Sequence, residues 1–109
     1  MFDGIKGMAD VMKLVGQAGK MKENMAQAQE RARNRMAVGE AAAGLIKVTV
    51  NGVGDVIAVR VDPEALKDPE LLGPLVVAAT NAALTKGKEV LAEEVRTAMK
   101  GIELPPGLM

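Results

Sequence analysis

The sequence predicts an α+β domain of 109 residues in which two long helices flank a three-stranded antiparallel β-meander. Three observations carry that expectation. Within residues 44–63, GLIKVTVNGVGDVIAVRVDP, the apolar Ile46, Val48 and Val50 alternate with Lys47 and Thr49. The period-two pattern returns at Ile57, Val59 and Val61 after a turn holding Asn51, Gly52 and Gly54. That is a hairpin, and a lone hairpin is marginal in water, so the segments on either side must cover it. Residues 7–36 carry a seven-residue apolar repeat, and Leu75 to Met99 carry apolar positions at helical spacing.

The first helix, over 7–36, places Val11, Ala18, Met25 and Ala32 on one heptad position and Leu14, Met21 and Ala28 on another. Met and Ala make this seam thin and adaptable. Gly16 and Gly19 each cost its front half about 1 kcal/mol relative to alanine. About 28 helical residues reach roughly 42 Å, longer than a compact domain of this size, whose radius of gyration is near 13 Å. Two outcomes stay open. Either the seam pairs with that of a second copy as a homodimer, or the helix breaks at Gly16 or Gly19 and folds back.

The meander occupies 37–62. Its first strand, within residues 37–43, has weak β propensity and is not legible from pattern alone. Asp62-Pro63 ends the hairpin. Asp68-Pro69 reads as an N-cap and first-turn pair, whereas Pro74 would interrupt a helix already begun, so the second helix over 70–100 either kinks at Pro74 or starts near Gly73. Val76, Ala79, Ala83 and Val90 have the spacing of a sheet-facing surface. Gly87 is a weak point, Gly101 is a stop, and residues 101–109, with Leu104-Pro105-Pro106-Gly107, form an extended tail.

Composition excludes most chemistry. The chain has no His, Cys, Ser, Tyr or Trp and a single aromatic residue, Phe2. Nucleophilic or acid–base work would fall to Thr, Lys or carboxylates alone, so an enzyme is not expected. With no imidazole or thiolate there is no metal-ligand cluster, and no cofactor is expected. No apolar span of 18 residues occurs, so no membrane association is expected and the chain reads as soluble and intracellular.

Fourteen basic residues match fourteen acidic ones, which argues mildly against a nucleic-acid partner. The distribution argues the other way: residues 1–36 hold seven cations and four anions. At 100° per residue, Lys6, Lys13, Lys20, Arg31 and Arg35 share one longitudinal stripe with Gln17, Asn24 and Gln27. Glu23 and Glu30 lie about a quarter turn away. Such a stripe can meet phosphates with little base discrimination. Charges beside a coiled-coil seam equally serve solubility or pair across the seam. Lys86, Lys88, Arg96 and Lys100 interleave with Glu89, Glu93 and Glu94, predicting local i,i+4 pairs, with Lys100 complementing the helix dipole.

The ordered set Gly44-Leu45-Ile46-Lys47-Val48-Thr49-Val50-Asn51-Gly52, Gly54, Val56, Val59, Val61-Asp62-Pro63, Val77-Ala78-Ala79, Asn81-Ala82-Ala83 and Leu104-Pro105-Pro106-Gly107 resembles the YbaB/EbfC family of bacterial nucleoid-associated proteins. The Met- and Gln-rich opening helix, with Met21, Met25, Gln27 and Gln29, agrees with it. The resemblance implies an intertwined homodimer whose long helices project like tweezers and bind double-stranded DNA in the cytoplasm, at the nucleoid. Gly16 and Gly19 stand where family members carry helix formers. Lys13, Lys20, Arg31 and Arg35 are the leading candidate DNA contacts, and Lys6, Lys22, Arg33 and Lys100 are further ones. The alternative reading is a non-catalytic adaptor whose Met-rich helix and Pro-Pro-Gly tail engage proteins of DNA replication or recombination-repair.

Overall fold

The computed structural model describes residues 2–100; the tail expected over 101–109 and the side chain of Lys6 lie outside the described residues. The elements run α1 (Phe2–Arg33), β1 (Met36–Ala41), β2 (Ile46–Asn51), β3 (Val56–Val61), a 3-10 turn (Pro63–Lys67) and α2 (Pro69–Met99). None of these helices is long and apolar enough to cross a membrane.

α1 is one uninterrupted helix and does not break at Gly16 or Gly19. It closes at Asn34, whose backbone N–H donates to the Arg31 carbonyl at 3.2 Å and whose side-chain amide donates to the Glu30 carbonyl at 3.0 Å. Arg35 therefore projects from the link to β1 and is not on the helical surface where the sequence reading placed it.

The sheet has the order β1-β2-β3 with both pairings antiparallel. The strand left open by pattern forms as β1. Its Ala37, Gly39 and Ala41 stand opposite Val50, Val48 and Ile46, so small residues share the face on which β2 presents its branched ones. α2 lies on that face. A Cβ at Gly39 would land on the backbone N of Ala83 and the carbonyl of Ala79, so the missing side chain is what lets the helix lie directly on the strand. One helical turn further on, at the expected weak point Gly87, a Cβ would come within 2.9 Å of the Asn51 carbonyl oxygen. Tertiary packing thus outweighs the poor strand propensity of β1 and the poor helix propensity of Gly87.

β2 and β3 are joined through Asn51, which is 2% exposed. Its Oδ1 accepts from the backbone N–H of Asp55 at 2.9 Å and of Val53 at 3.2 Å, and its Nδ2 donates to Asp55 Oδ2 at 3.1 Å. Every buried polar group of that side chain is satisfied within the turn. β3 carries a bulge, because Val50 pairs with Val56 while Thr49 pairs with Ala58, leaving Ile57 as the extra residue.

The β1–β2 turn holds Ala42 at φ 53° and Ala43 at φ 56°, ahead of Gly44 at φ 90°. The left-handed region costs a residue bearing a Cβ about 1–2 kcal/mol. Ala43→Gly is therefore expected to stabilise the domain by about 1 kcal/mol, after the entropy of the freer unfolded chain is subtracted. A higher urea midpoint at unchanged slope would register it.

α2 begins at Pro69 after Asp68 and runs through Pro74. The expected alternative of a start near Gly73 gives way to this. Pro74 is the sixth residue of the helix, so its missing N–H forfeits only the bond to the Glu70 carbonyl. Asp62 caps the preceding 3-10 turn, its Oδ1 accepting from the Glu64 N–H at 2.9 Å.

Ile46, Val48 and Val50 are fully buried under Ala79 and Ala83, with Val76 and Val90 packed at the margin. α2 covers β1 and β2 and leaves β3 open: Val56, Ile57 and Val59 are 51%, 51% and 48% exposed. Past the sheet, α2 meets the C-terminal third of α1 antiparallel to it. Ala28 and Ala32 are buried there, Met21 and Met25 are half-buried, and the Gly52 N–H donates to the Ala32 carbonyl at 2.8 Å. The inner half of the heptad seam is thus used within the chain. From residue 20 back to 10 every residue is exposed, and the molecule extends 79 Å along its long axis.

Candidate nucleic-acid interface

The arm of α1 separates its chemistry by side. Lys13 and Lys20 lie on one face with Gln17 between them, and Val11, Val15 and Ala18 lie on the opposite face, flanked by Met8, Leu14 and Met12. Lys13, Lys20 and Lys22 are exposed, and no carboxylate lies within 4 Å of their ammonium groups among the described residues. The apolar face is equally bare: Met8, Val11, Met12, Leu14 and Val15 are each between 56% and 72% exposed. Lys22 and Arg33 fall on the apolar side, away from the cationic stripe.

The inner end of the stripe is different. Arg31 Nε donates to Glu94 Oε2 at 2.8 Å. Arg35 straddles two carboxylates, with Nη1 to Glu94 Oε1 at 3.1 Å and Nη2 to Glu93 Oε2 at 2.9 Å. The Glu94 side chain is 13% exposed, whereas those of Arg31 and Arg35 are 44% and 43% exposed. The hydrogen bond from Arg31 is the largest of the effects holding the Glu94 carboxyl below the usual carboxylate range, with that from Arg35 adding to it. The stabilisation from this group is thus complete above the ordinary glutamate pKa and is lost as pH falls through the lower folded-state value.

Projection on a single helix could not reveal those acids, because they come from α2, 63 residues away in the Arg31–Glu94 bond. Among the described residues Lys86 and Lys88 form no ion pair; Glu94 turns to Arg31 of α1 instead, and both Glu93 and Glu94 hold Arg35 in the link to β1. Arg33 pairs with Glu30 at 3.1 Å. Lys100 is exposed at the end of α2.

Beside Arg31, the two helices enclose a groove of about 280 Å³ lined by Asn24, Gln27, Arg31, Thr97 and Ala98. Asn24 anchors it by donating to the Ala98 carbonyl at 3.3 Å. Two amides and a guanidinium converge there, donors that suit an anionic oxygen, while the Thr97 hydroxyl is already given to the Glu93 carbonyl at 3.0 Å.

The sequence matches the model of the YbaB/EbfC DNA-binding family over residues 8–102. The chain belongs to the YbaB/EbfC DNA-binding family. This YbaB/EbfC chain is 37% identical over 103 residues to the nucleoid-associated protein Mmar10_0436 of Maricaulis maris, covering 93% of this chain and 96% of that one. It is 34% identical over 106 residues to the nucleoid-associated protein Cpha266_1171 of Chlorobium phaeobacteroides, covering 97% and 93%. Its fold is shared with the uncharacterized protein HP0035 of Helicobacter pylori, with a TM-score of 0.69 and 21% identity over 79% of this chain and 92% of that one. The YbaB/EbfC family is a DNA-binding one and not a family of enzymes.

Proposed function

We propose that this protein is a nucleoid-associated, cytoplasmic, non-catalytic DNA-binding protein that grips double-stranded DNA as a homodimer with weak sequence preference. The observation that carries the reading is the α1 arm, whose exposed lysines occupy one side and whose uncovered apolar residues occupy the other. Lys13 and Lys20, with Lys6 on the same stripe, meet backbone phosphates; Arg31 at its inner end and Arg35 in the link beyond it are held by Glu93 and Glu94, and Lys22, Arg33 and Lys100 lie off that line and contribute less. Phosphate contacts of this kind give affinity and position without reading bases.

The open apolar face of the arm and the uncovered β3 support the dimer. A second copy would bury both and leave the two cationic stripes facing outward. The same face could instead receive a replication or recombination-repair protein, and salt separates the two readings. Phosphate binding weakens steeply as salt rises, whereas apolar docking does not. Fluorescence anisotropy of a labelled duplex of about 30 base pairs, titrated at several salt concentrations and against unrelated duplexes, is the test. Saturable binding with a steep salt slope and little sequence effect is the expected result. No binding at low salt by a folded dimer would remove the DNA reading and favour the adaptor.

A further inference from the structure

The inner end of the stripe offers two arginines and withholds both. Their guanidinium groups are reachable from solvent, but each already holds a carboxylate, and Arg35 holds two. Guanidinium forks match carboxylate and phosphate oxygens in the same geometry, so what occupies Arg31 and Arg35 is chemically a stand-in for DNA backbone. Two arginines and two glutamates also cancel in charge, whereas Lys13 and Lys20 on the arm have no acid within 4 Å among the described residues.

We infer that Glu93 and Glu94 are internal competitors for DNA phosphate, closing a phosphate seat at the junction of the two helices and confining the DNA footprint to the arm. This rests on the phosphate-binding reading proposed above. The seat is built: the groove beside Arg31 carries the amides of Asn24 and Gln27. Glu94 is tucked beneath its arginines and Glu93 lies on the rim, with side chains 13% and 54% exposed. An incoming phosphate would therefore meet the Glu93 carboxylate at the rim and find that of Glu94 behind the guanidinium groups. Their negative charge lies well within the screening length of about 8 Å at physiological salt and opposes that approach.

The test is duplex anisotropy with the full chain, comparing the wild type with Glu94→Gln, Glu93→Gln and the pair. Each change removes a charge while keeping an oxygen that can accept from arginine. The expected result is binding about tenfold tighter for the pair at low salt, with a salt slope steeper by up to about two units per chain as two more phosphates are engaged. Arg31→Gln should cost little in the wild type and should abolish most of the gain in the Glu94→Gln background. A purely structural strut predicts the opposite, since loosening the helix junction would weaken binding. Folded variants that bind no tighter than the wild type overturn the inference. Should Glu94→Gln disturb folding, Glu93→Gln decides alone, because that carboxylate is half-exposed and is bonded to Arg35 only. A wild type that binds normally beside unchanged variants overturns the inference alone, whereas absence of binding by all of them overturns the parent reading as well.

Discussion

Gly39→Ala is expected to cost the domain a large share of its stability. The added methyl would fall on the main chain of α2 at Ala79 and Ala83, and main-chain atoms, unlike the tip of a flexible side chain, cannot rotate aside. Overpacking a core with side-chain atoms costs about 1–3 kcal/mol. A clash with helix backbone lifts α2 away from Val48 and Val50 as well, so a destabilisation of about 3 kcal/mol or more is expected, from a total stability of about 5–15 kcal/mol. Urea unfolding followed by circular dichroism would read it. A midpoint within error of the wild type would mean that the helix does not rest directly on the strand.

The second large effect is on binding. Lys13→Glu with Lys20→Glu should reduce duplex affinity by about 100-fold or more at low salt and make the salt slope shallower by about two units per chain, one for each phosphate no longer neutralised. Both side chains are exposed on the arm, so the thermal unfolding of the sheet and α2 should be unchanged. That contrast separates a binding defect from a folding one. Unaltered affinity in the double variant would take the stripe out of the mechanism.

What could be read from the chain beforehand follows the range of the forces involved. The hairpin was legible because Ile46, Val48 and Val50 state their face through local alternation, and the Asn51 turn is built from its own neighbours. β1 was not, since Ala37 and Gly39 become a strand only through α2 pressing on them from roughly forty residues downstream. Pro74 left the start of α2 open between Pro69 and Gly73, because its cost depends on its distance from the helix start. Among the charges, the lysine stripe is a property of one helix and can be drawn on paper. The capture of Arg31 and Arg35 by Glu93 and Glu94 depends on how two helices cross, and no single-segment pattern contains it.

The bare arm has a thermodynamic consequence of its own. A helical stretch of this length, with glycines at 16 and 19 and no domain surface beneath it, gains nothing from tertiary packing within the chain, and isolated helices of comparable length are marginal in water. Its helix content is then governed by whatever lies against it, so under the proposed reading grip and arm order become two readings of a single equilibrium. On that reading the apparent Kd is the intrinsic one divided by the fraction of arms already wound. A more helix-prone arm would tighten binding without adding one new bond to DNA, and warming would loosen it before the sheet noticed.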